Sequence, residues 1–164
     1  MNFEILKIDE LCGGKASFYS ILIEGETLSL FEKFLQENQN SSKSEINNIL
    51  QRLNTIANKT GARESFFKTK EGHPGDGICA LYDQPKSKLR LYCIRYGQEL
   101  IILGGGGPKP KTIRALQEDE KLTNENYLLR EISKRIMEAL KDKDLQFSKD
   151  FLDFEGNLNF DDIK

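Results

Sequence analysis

The chain has 164 residues, of which 30% are charged, and its formal net charge is −2. This length is enough for one domain with a buried core, and the composition is that of an ordinary globular protein rather than of a disordered or uniformly basic one. The sequence has no 18-residue apolar run, and its first ten residues lack the regions of a signal peptide, so we expect a cytoplasmic protein without a membrane partner.

The first half of the chain predicts a strand pair followed by two helices. Residues 3–8 alternate in polarity, and residues 16–24 are rich in strand-forming side chains. Residues 27–36 have helical spacing with Thr27 as the expected N-cap, and an apolar stripe over residues 46–57 ends at Gly61. We expect these helices to form an antiparallel pair.

The segment that follows Gly61 changes in character. Residues 61–77 are basic, aromatic and rich in glycine and proline, which predicts a loop or strand end that carries Lys68, Lys70 and His73. Residues 78–82 then read as a strand.

A β-hairpin is predicted next, because apolar residues 89–96 and 99–103 flank a reversal at Gly97 and Gln98. Alternation separates Arg90 from Leu89 and Leu91, so Arg90 lies at a sheet edge or in a polar concavity. A structural ion pair of Arg90 with Asp83 or Glu99 is the competing interpretation. Residues 100–103, which are apolar throughout, are typical of a strand covered on both faces.

Four glycines, residues 104–107, are expected to end this strand and to form a phosphate-binding loop. Glycine lets backbone N–H groups converge on an anion, here at Gly105 and Gly106. Lys109, Lys111 and Thr112 would complete the patch, with Thr112 capping a short helix over residues 112–119. The spacing differs from a Walker A loop, and a flexible glycine linker is the alternative.

The last part of the chain predicts a helix and an acidic tail. Residues 124–141 carry an apolar stripe that should dock on the sheet. Residues 142–164 hold seven acidic side chains, three lysines and four phenylalanines, Phe147, Phe151, Phe154 and Phe160. We expect this tail to pack against the protein, near its basic region, or to meet a partner.

The distribution of charge and the positions of the cysteines limit the kinds of partner and site that the sequence predicts. Between Arg63 and Arg114 the chain has ten basic and five acidic residues, which favours a local anionic partner. The three cysteines are far apart, and the single histidine is His73, so the spacing predicts no metal site and no cofactor. A Cys–His nucleophile stays open, although no spacing favours it.

The order of one strand, two helices and three strands resembles the RelE/ParE toxin superfamily, in particular its HigB-like branch. The segments that carry the resemblance are GDGICALYD, KLRLYCIRYGQELIIL and KPKTIRALQ. The resemblance implies an α+β, RelE-like fold with an antiparallel-dominated sheet, two helices from the first half packed on it, and an added C-terminal helix. Residues 1–141 would form this domain, with residues 61–117 as its basic functional core and residues 142–164 as the tail.

The resemblance also implies a function and a set of site residues. The protein would be the toxin of a type II toxin-antitoxin system, a metal-independent mRNA endonuclease that uses 2′-hydroxyl attack on ribosome-bound mRNA and is neutralised by a helix-turn-helix antitoxin. The implied catalytic residues are Arg90, His73, Lys68 and Lys109. The implied RNA or phosphate contacts are Lys70, Arg95, Tyr96, Gly105, Gly106, Lys111 and Thr112, with Tyr96 placed to stack on a base.

Two other functions stay open at this point. One is a non-catalytic RelE/ParE-like protein that binds DNA or a topoisomerase with the same basic surface. The other is a phosphate-binding or nucleotide-binding regulator built on GGGGPKPKT.

Overall fold

The computed structural model describes residues 1–69, 71–72, 75–81, 87–112 and 119–161. Three α-helices occur in these ranges: α1 (Leu30–Asn38), α2 (Lys43–Thr55) and α3 (Glu120–Lys141). The strands are β1 (Phe3–Lys7), β2 (Ser17–Ile23), β3 (Phe67–Lys68), β4 (Ile78–Leu81), β5 (Leu89–Tyr96), β6 (Leu100–Pro108), β7 (Leu145–Phe147), β8 (Phe154–Gly156) and β9 (Asn159–Phe160).

Seven strands form one sheet in the order β3-β4-β5-β6-β2-β1-β9, and β7 pairs with β8 separately. The pair β2 and β6 is parallel, and the other paired strands are antiparallel. The predicted α+β class with an antiparallel-dominated sheet is therefore confirmed. None of the described helices is long and apolar enough to cross a membrane.

Helices cover both faces of the sheet. Phe31 and Phe34 of α1 and Leu53 of α2 pack on one face against Ile101 and Leu103 of β6. The other face meets α3, and that core includes Leu129, Ile132 and Ile136 from the helix. Strand β6 is thus buried on both sides, as its uninterrupted apolar residues predict.

Helix α1 begins later than the sequence pattern suggests. Its N-cap is Ser29 rather than Thr27, since the Ser29 hydroxyl accepts a hydrogen bond from the Glu32 N–H and the Glu32 carboxylate accepts one from the Ser29 N–H. This capping box satisfies two backbone donors that the helix itself leaves open. A buried hydroxyl then fixes α1 to the sheet, because Ser20 accepts from the Phe31 N–H and donates to the Leu103 carbonyl.

The ends of the other helices agree with the sequence pattern in one case and differ from it in another. Helix α2 continues through a π-helical turn, Ile56–Thr60, and stops at Gly61, whose φ is 74°. Helix α3 starts at Glu120, earlier than expected, with Asp119 as its N-cap. The predicted short helix after Thr112 falls on residues 113–118, outside the described residues.

The acidic tail is built into the sheet and its core. Strand β9 pairs with β1 at the edge opposite β3, and Phe160 stacks on Phe3 with ring centroids 4.6 Å apart. Phe154 is buried in the core on the α3 face. The expectation that the tail lies near the basic region is wrong for β9, because its pairing with β1 puts it at the far edge of the sheet from β3.

Two tyrosines in the same aromatic cluster differ in how their hydroxyls are satisfied. The Tyr96 hydroxyl is buried and has no hydrogen-bond partner among the described residues, whereas that of Tyr19 accepts from the Phe154 N–H at 3.0 Å. We expect Tyr96→Phe to raise the free energy of unfolding by about 1 kcal/mol, since it removes a buried, unsatisfied polar atom. Urea denaturation of the purified variants measures this change.

Tyr19→Phe is the matched control, and it should lower the free energy of unfolding by about 1.5 kcal/mol because it leaves the Phe154 N–H without its acceptor. Burial raises the pKa of both hydroxyls. Above about pH 10 the unfolded chain therefore loses protons that the folded chain keeps, so stability falls as the pH rises. Tyr96→Phe should weaken this alkaline loss, and a variant less stable than the wild type at pH 7 would contradict the prediction.

Candidate functional site

Arg90 and Tyr92 lie on the face of β5 that meets α3. Tyr92 stands opposite Ala80 of β4 and belongs to the core on that face. Arg90 precedes Tyr92 by two residues, so it projects to the same side. Both side chains are nearly closed to solvent, with 8% of Arg90 and 4% of Tyr92 exposed.

The carboxylate of Glu71 meets Arg90 in this interior, with Oε1 at 3.5 Å from Nη1. The ion-pair interpretation of Arg90 therefore describes a real contact, which Arg90 makes with Glu71. Among the described residues the structure records no ion pair of Arg90 with Glu99, and Asp83 lies outside those residues. Burial raises the pKa of Tyr92, the charge of Glu71 raises it further, and the charge of Arg90 and a hydrogen bond with it act in the opposite direction. We call Arg90, Tyr92 and Glu71 the Arg90 cluster.

Lys68 shares this face of the sheet. It is the second residue of β3 and stands directly opposite Ala80, whose other cross-strand neighbour is Tyr92. Side chains of directly paired residues project to the same side, so Lys68, Ala80 and Tyr92 form a row across three strands. The structure thus places two predicted catalytic residues, Lys68 and Arg90, on one face. His73 and Lys70 lie outside the described residues.

The glycines of residues 104–107 do not form a loop. Strand β6 runs on to Pro108, with Gly106 paired to Leu91 and Gly107 paired to Arg90. All four glycines are buried, and none of them has a positive φ. The prediction that the strand ends at Gly104 is wrong, and Gly105 and Gly106 do not present a free loop of N–H groups to a phosphate.

A β-bulge and a close helix explain why these positions are glycine. The pairing skips from Cys93 with Leu103 to Leu91 with Gly106, so Gly104 and Gly105 together stand opposite Tyr92. A Cβ at Gly104 would lie 2.9 Å from Leu129, and one at Gly105 would overlap the Glu125 carboxylate. The missing side chains let α3 approach the strand.

Basic side chains gather where β5 begins and β6 ends. The Lys109 N–H donates to the Lys88 carbonyl at 2.6 Å, which keeps the two chains paired beyond the ladder. Lys111 and Thr112 follow and are exposed. These predicted phosphate contacts are therefore accessible, in contrast to Arg90.

A cleft of about 570 Å³ opens beside this end of the hairpin, between the start of α2 and Lys88. We call it the basic cleft, and its lining residues are Ser41, Ser42, Lys43, Ser44, Glu45, Asn48, Arg52, Ser87 and Lys88. Among its described lining residues the one carboxylate is Glu45, which accepts hydrogen bonds from the N–H groups of Lys88 and Leu89. The described lining thus includes Lys43, Arg52 and Lys88 and several hydroxyls, beside an acid that is already engaged by backbone donors.

Arg95 and Tyr96 lie apart from the Arg90 cluster. The Arg95 guanidinium donates to the Ala62 carbonyl and lies over the ring of Phe67 on the α1 and α2 side of the sheet. Tyr96 is the last residue of β5, at the other end of the strand from Arg90. Its ring packs against Phe147 and Phe154. This packing leaves little of Tyr96 for a nucleotide base to stack on.

Sequence reasoning missed several residues of the site. Tyr92 reads as a core residue and Glu71 as one acid in a basic segment, and only the fold brings them to Arg90. Lys43 and Arg52 lie outside the segment with basic excess. Their spacing gave no signal, since residues nine apart on an α-helix lie on opposite faces.

Among the described residues, no group of three His, Cys, Asp or Glu side chains is arranged to hold a metal ion. Comparisons with protein-family models, curated proteins and solved structures find no match for this chain. The fold and the site therefore define the protein by geometry: an α+β protein with an arginine and a tyrosine buried under a helix beside a partly exposed carboxylate, and with lysines at the end of the adjoining hairpin.

Proposed function

We infer that this protein is a RelE-like endoribonuclease, the toxin of a type II toxin-antitoxin pair. The observation that carries the proposal is the meeting of Arg90, Tyr92 and Glu71 on the sheet face that also holds Lys68. A cation, a neutral phenol and a carboxylate are the groups that a metal-independent attack on a phosphodiester uses.

The chain order also supports the proposal. Strand β2 is followed by α1 and α2, and then by β4, β5 and β6 in an antiparallel run whose last strand returns to lie parallel to β2. This is the order of one strand, two helices and three strands on which the resemblance to the RelE/ParE superfamily depends.

The proposed reaction consumes no water and no co-reactant. The ribose 2′-oxygen forms a bond to the adjacent phosphorus as the bond to the 5′-oxygen breaks, which leaves a 2′,3′-cyclic phosphate and a 5′-hydroxyl. Arg90 stabilises the charge that builds on the phosphate, Glu71 accepts the proton of the 2′-hydroxyl, and Tyr92 gives a proton to the leaving 5′-oxygen. The proton on Glu71 then passes to the Tyr92 phenolate, which restores both groups for the next cycle. Burial keeps Tyr92 in the neutral form that this role requires.

The basic cleft and the lysines beside it would bind further phosphates of an RNA strand. Lys88, Lys109 and Lys111 lie at the open end of the hairpin that bears Arg90, so a strand of RNA that meets them also reaches the start of β5. We propose mRNA on the ribosome as the substrate and a helix-turn-helix antitoxin as the neutralising partner.

Induced expression tests the proposed function. Wild-type protein should arrest growth and leave mRNA fragments that end in 2′,3′-cyclic phosphates. Cleavage by the purified protein with ribosomes should be unchanged when a chelator removes the free divalent metal and leaves the metal that is bound to the ribosomes. Cells that tolerate full expression with intact mRNA would overturn the proposal.

The lysines that follow β6 give a separate prediction. Lys109→Ala together with Lys111→Ala should weaken binding to a single-stranded RNA oligonucleotide and should lower the slope of log K against log salt by about 1.4, since each lost phosphate contact accounts for about 0.7. Fluorescence anisotropy over a salt series measures both quantities. The control is Lys134→Ala with Lys149→Ala, two exposed lysines on α3 and on the β7–β8 connection. Equal slopes for the two variants would remove Lys109 and Lys111 from the interface.

A non-catalytic binding protein is the second candidate, and the near-complete burial of Arg90 and Tyr92 favours it. Such a protein would bind nucleic acid through the exposed lysines and leave RNA intact. The regulator built on GGGGPKPKT has lost its support, because the four glycines belong to a buried strand.

A further inference from the structure

The first half of α3 lies directly over the Arg90 cluster. The Asn126 amide donates to the Glu71 carbonyl at 2.9 Å, and the Arg130 guanidinium donates to the same carbonyl at 3.0 Å. Two side chains of one helix thus hold the backbone of the residue whose carboxylate pairs with Arg90. An RNA phosphate cannot reach Arg90 while this arrangement persists, since only 9% of the side chain is exposed.

The same half of the helix packs along the glycines of β6. Lys121, Glu125 and Leu129 are spaced by four residues, so they form one ridge on the helix surface. In that order they lie against Gly107, Gly105 and Gly104. The ridge follows the strand, and the neighbouring ridge with Asn126 and Arg130 reaches the Arg90 cluster.

This contact is imperfectly satisfied. Glu125 Oε2 and Asn126 Oδ1 are buried without a hydrogen-bond partner among the described residues, and only 7% of Asn126 is exposed. A buried polar atom without a partner costs free energy that it would regain in water. The docked state of this half of α3 is thereby weakened at the positions that touch the glycines and the cluster.

The second half of α3 is anchored differently. Ile132 and Ile136 are fully buried, and the Ser133 hydroxyl donates to the Asp76 carbonyl at 2.6 Å. Arg135 lies over the ring of Phe3 and donates to the Asp161 carbonyl at 3.0 Å. These contacts hold residues 132–136 to the sheet and the tail independently of the Arg90 cluster.

We propose that residues 120–130 form a cover, the α3 cover, that closes the Arg90 cluster and must move away before RNA is cleaved. The proposal rests on the endoribonuclease function inferred above and adds its regulation. The protein then exists in a closed, inactive state and an open, active one, and any partner or variant that favours the open state raises the rate of cleavage.

One pair of variants should shift this equilibrium in opposite directions. Asn126→Ala with Arg130→Ala removes both hydrogen bonds to the Glu71 carbonyl and should open the cover. Glu125→Met replaces a buried, unsatisfied carboxylate oxygen with an apolar group of similar size and should close it. Asn124→Ala with Lys134→Ala is the matched control, since it removes an amide and a cation from exposed positions of the same helix.

Two measurements test the proposed α3 cover and the proposed endoribonuclease function separately. Labelling of Arg90 by phenylglyoxal, mapped by peptide mass spectrometry, reports access to the cluster whether or not RNA is a substrate. Cleavage of an RNA oligonucleotide or of ribosome-bound mRNA reports activity. We expect both rates to rise about tenfold in the opening variant, to fall in Glu125→Met, and to match the wild type in the control.

The outcomes are distinct. Faster labelling without faster cleavage, in a protein that cleaves RNA, would show that access does not limit the reaction and would overturn the cover. Unchanged labelling in both the opening and the closing variant would overturn it as well. Altered labelling in the expected directions, with no cleavage by any variant, would uphold the cover as a structural element and would overturn the endoribonuclease proposal instead.

Discussion

Arg90→Ala is expected to lower the rate of RNA cleavage by about 10²–10³-fold, because it removes the charge proposed to stabilise the phosphate in the transition state. Growth arrest on expression should disappear with it. The rate is measured on an RNA oligonucleotide or on ribosome-bound mRNA at saturating protein, so that weaker binding does not imitate slower chemistry.

The same substitution has a structural cost that must be separated from the catalytic one. Arg90 pairs with Glu71 in a largely closed environment, and the alanine variant removes this cation from beside the carboxylate. Loss of one partner of a fully buried pair costs more, but 20% of the Glu71 side chain is exposed. We therefore expect the free energy of unfolding to fall by about 1–3 kcal/mol. Some loss of activity could therefore come from a smaller folded population.

A double variant resolves this ambiguity. Arg90→Met with Glu71→Gln removes both charges and keeps similar volumes, and replacing a buried pair in this way is often neutral for stability. We expect the double variant to unfold like the wild type and to remain inactive. Arg135→Ala is the control for loss of a guanidinium elsewhere in the fold, since Arg135 contacts Phe3 and the tail rather than the cluster. An active double variant would show that Arg90 serves the fold and not the reaction.

The sequence was sufficient to predict the elements that alternation and helical spacing define. The hairpin of β5 and β6 follows from two apolar runs around Gly97, and its turn has that glycine at a φ of 64°. Alternation also placed Arg90 on the face away from Leu89 and Leu91, and this separation is what brings it to α3 rather than to α1 and α2. Local patterns carry such information because they depend on neighbouring residues only.

The residues that complete the site depend on contacts between distant segments. Glu71 and Asn126 meet only because the chain before β4 crosses the face that α3 covers, and 55 residues separate them. No local pattern encodes that crossing. Arg95 and Tyr96 lie apart from Arg90 for a related reason. All three are on one strand, but the Arg95 side chain lies on the opposite face of the sheet, and the tail, more than 50 residues later, packs on Tyr96.

The glycines at 104–107 show the same limit for backbone structure. A run of glycine predicts a turn when only neighbours are considered, since glycine accepts conformations that other residues avoid. Here the decisive partners are a bulge opposite Tyr92 and a helix that begins at Glu120. Glycine serves close packing at these positions, and this interpretation has a direct test in stability.

Gly106→Ala should lower the free energy of unfolding by about 3 kcal/mol, at the upper end of the range for overpacking. A Cβ at this position would overlap the carbonyl oxygen of Arg90, which is main chain within the ladder and cannot move as a side chain would. Thermal unfolding should shift down by about 6–12 °C for a chain of this size, and urea denaturation gives the free energy directly.

Two glycines provide graded controls for this prediction. A Cβ at Gly107 meets the flexible end of Lys121 at 3.2 Å, and one at Gly14 meets nothing within 4 Å. Gly107→Ala should therefore cost little, and Gly14→Ala should leave stability unchanged or raise it by about 0.5 kcal/mol by restricting the unfolded chain. If Gly106→Ala unfolds like Gly14→Ala, residues 104–107 do not lie in the ladder, and the anion-binding loop predicted from the sequence becomes the better description of this segment.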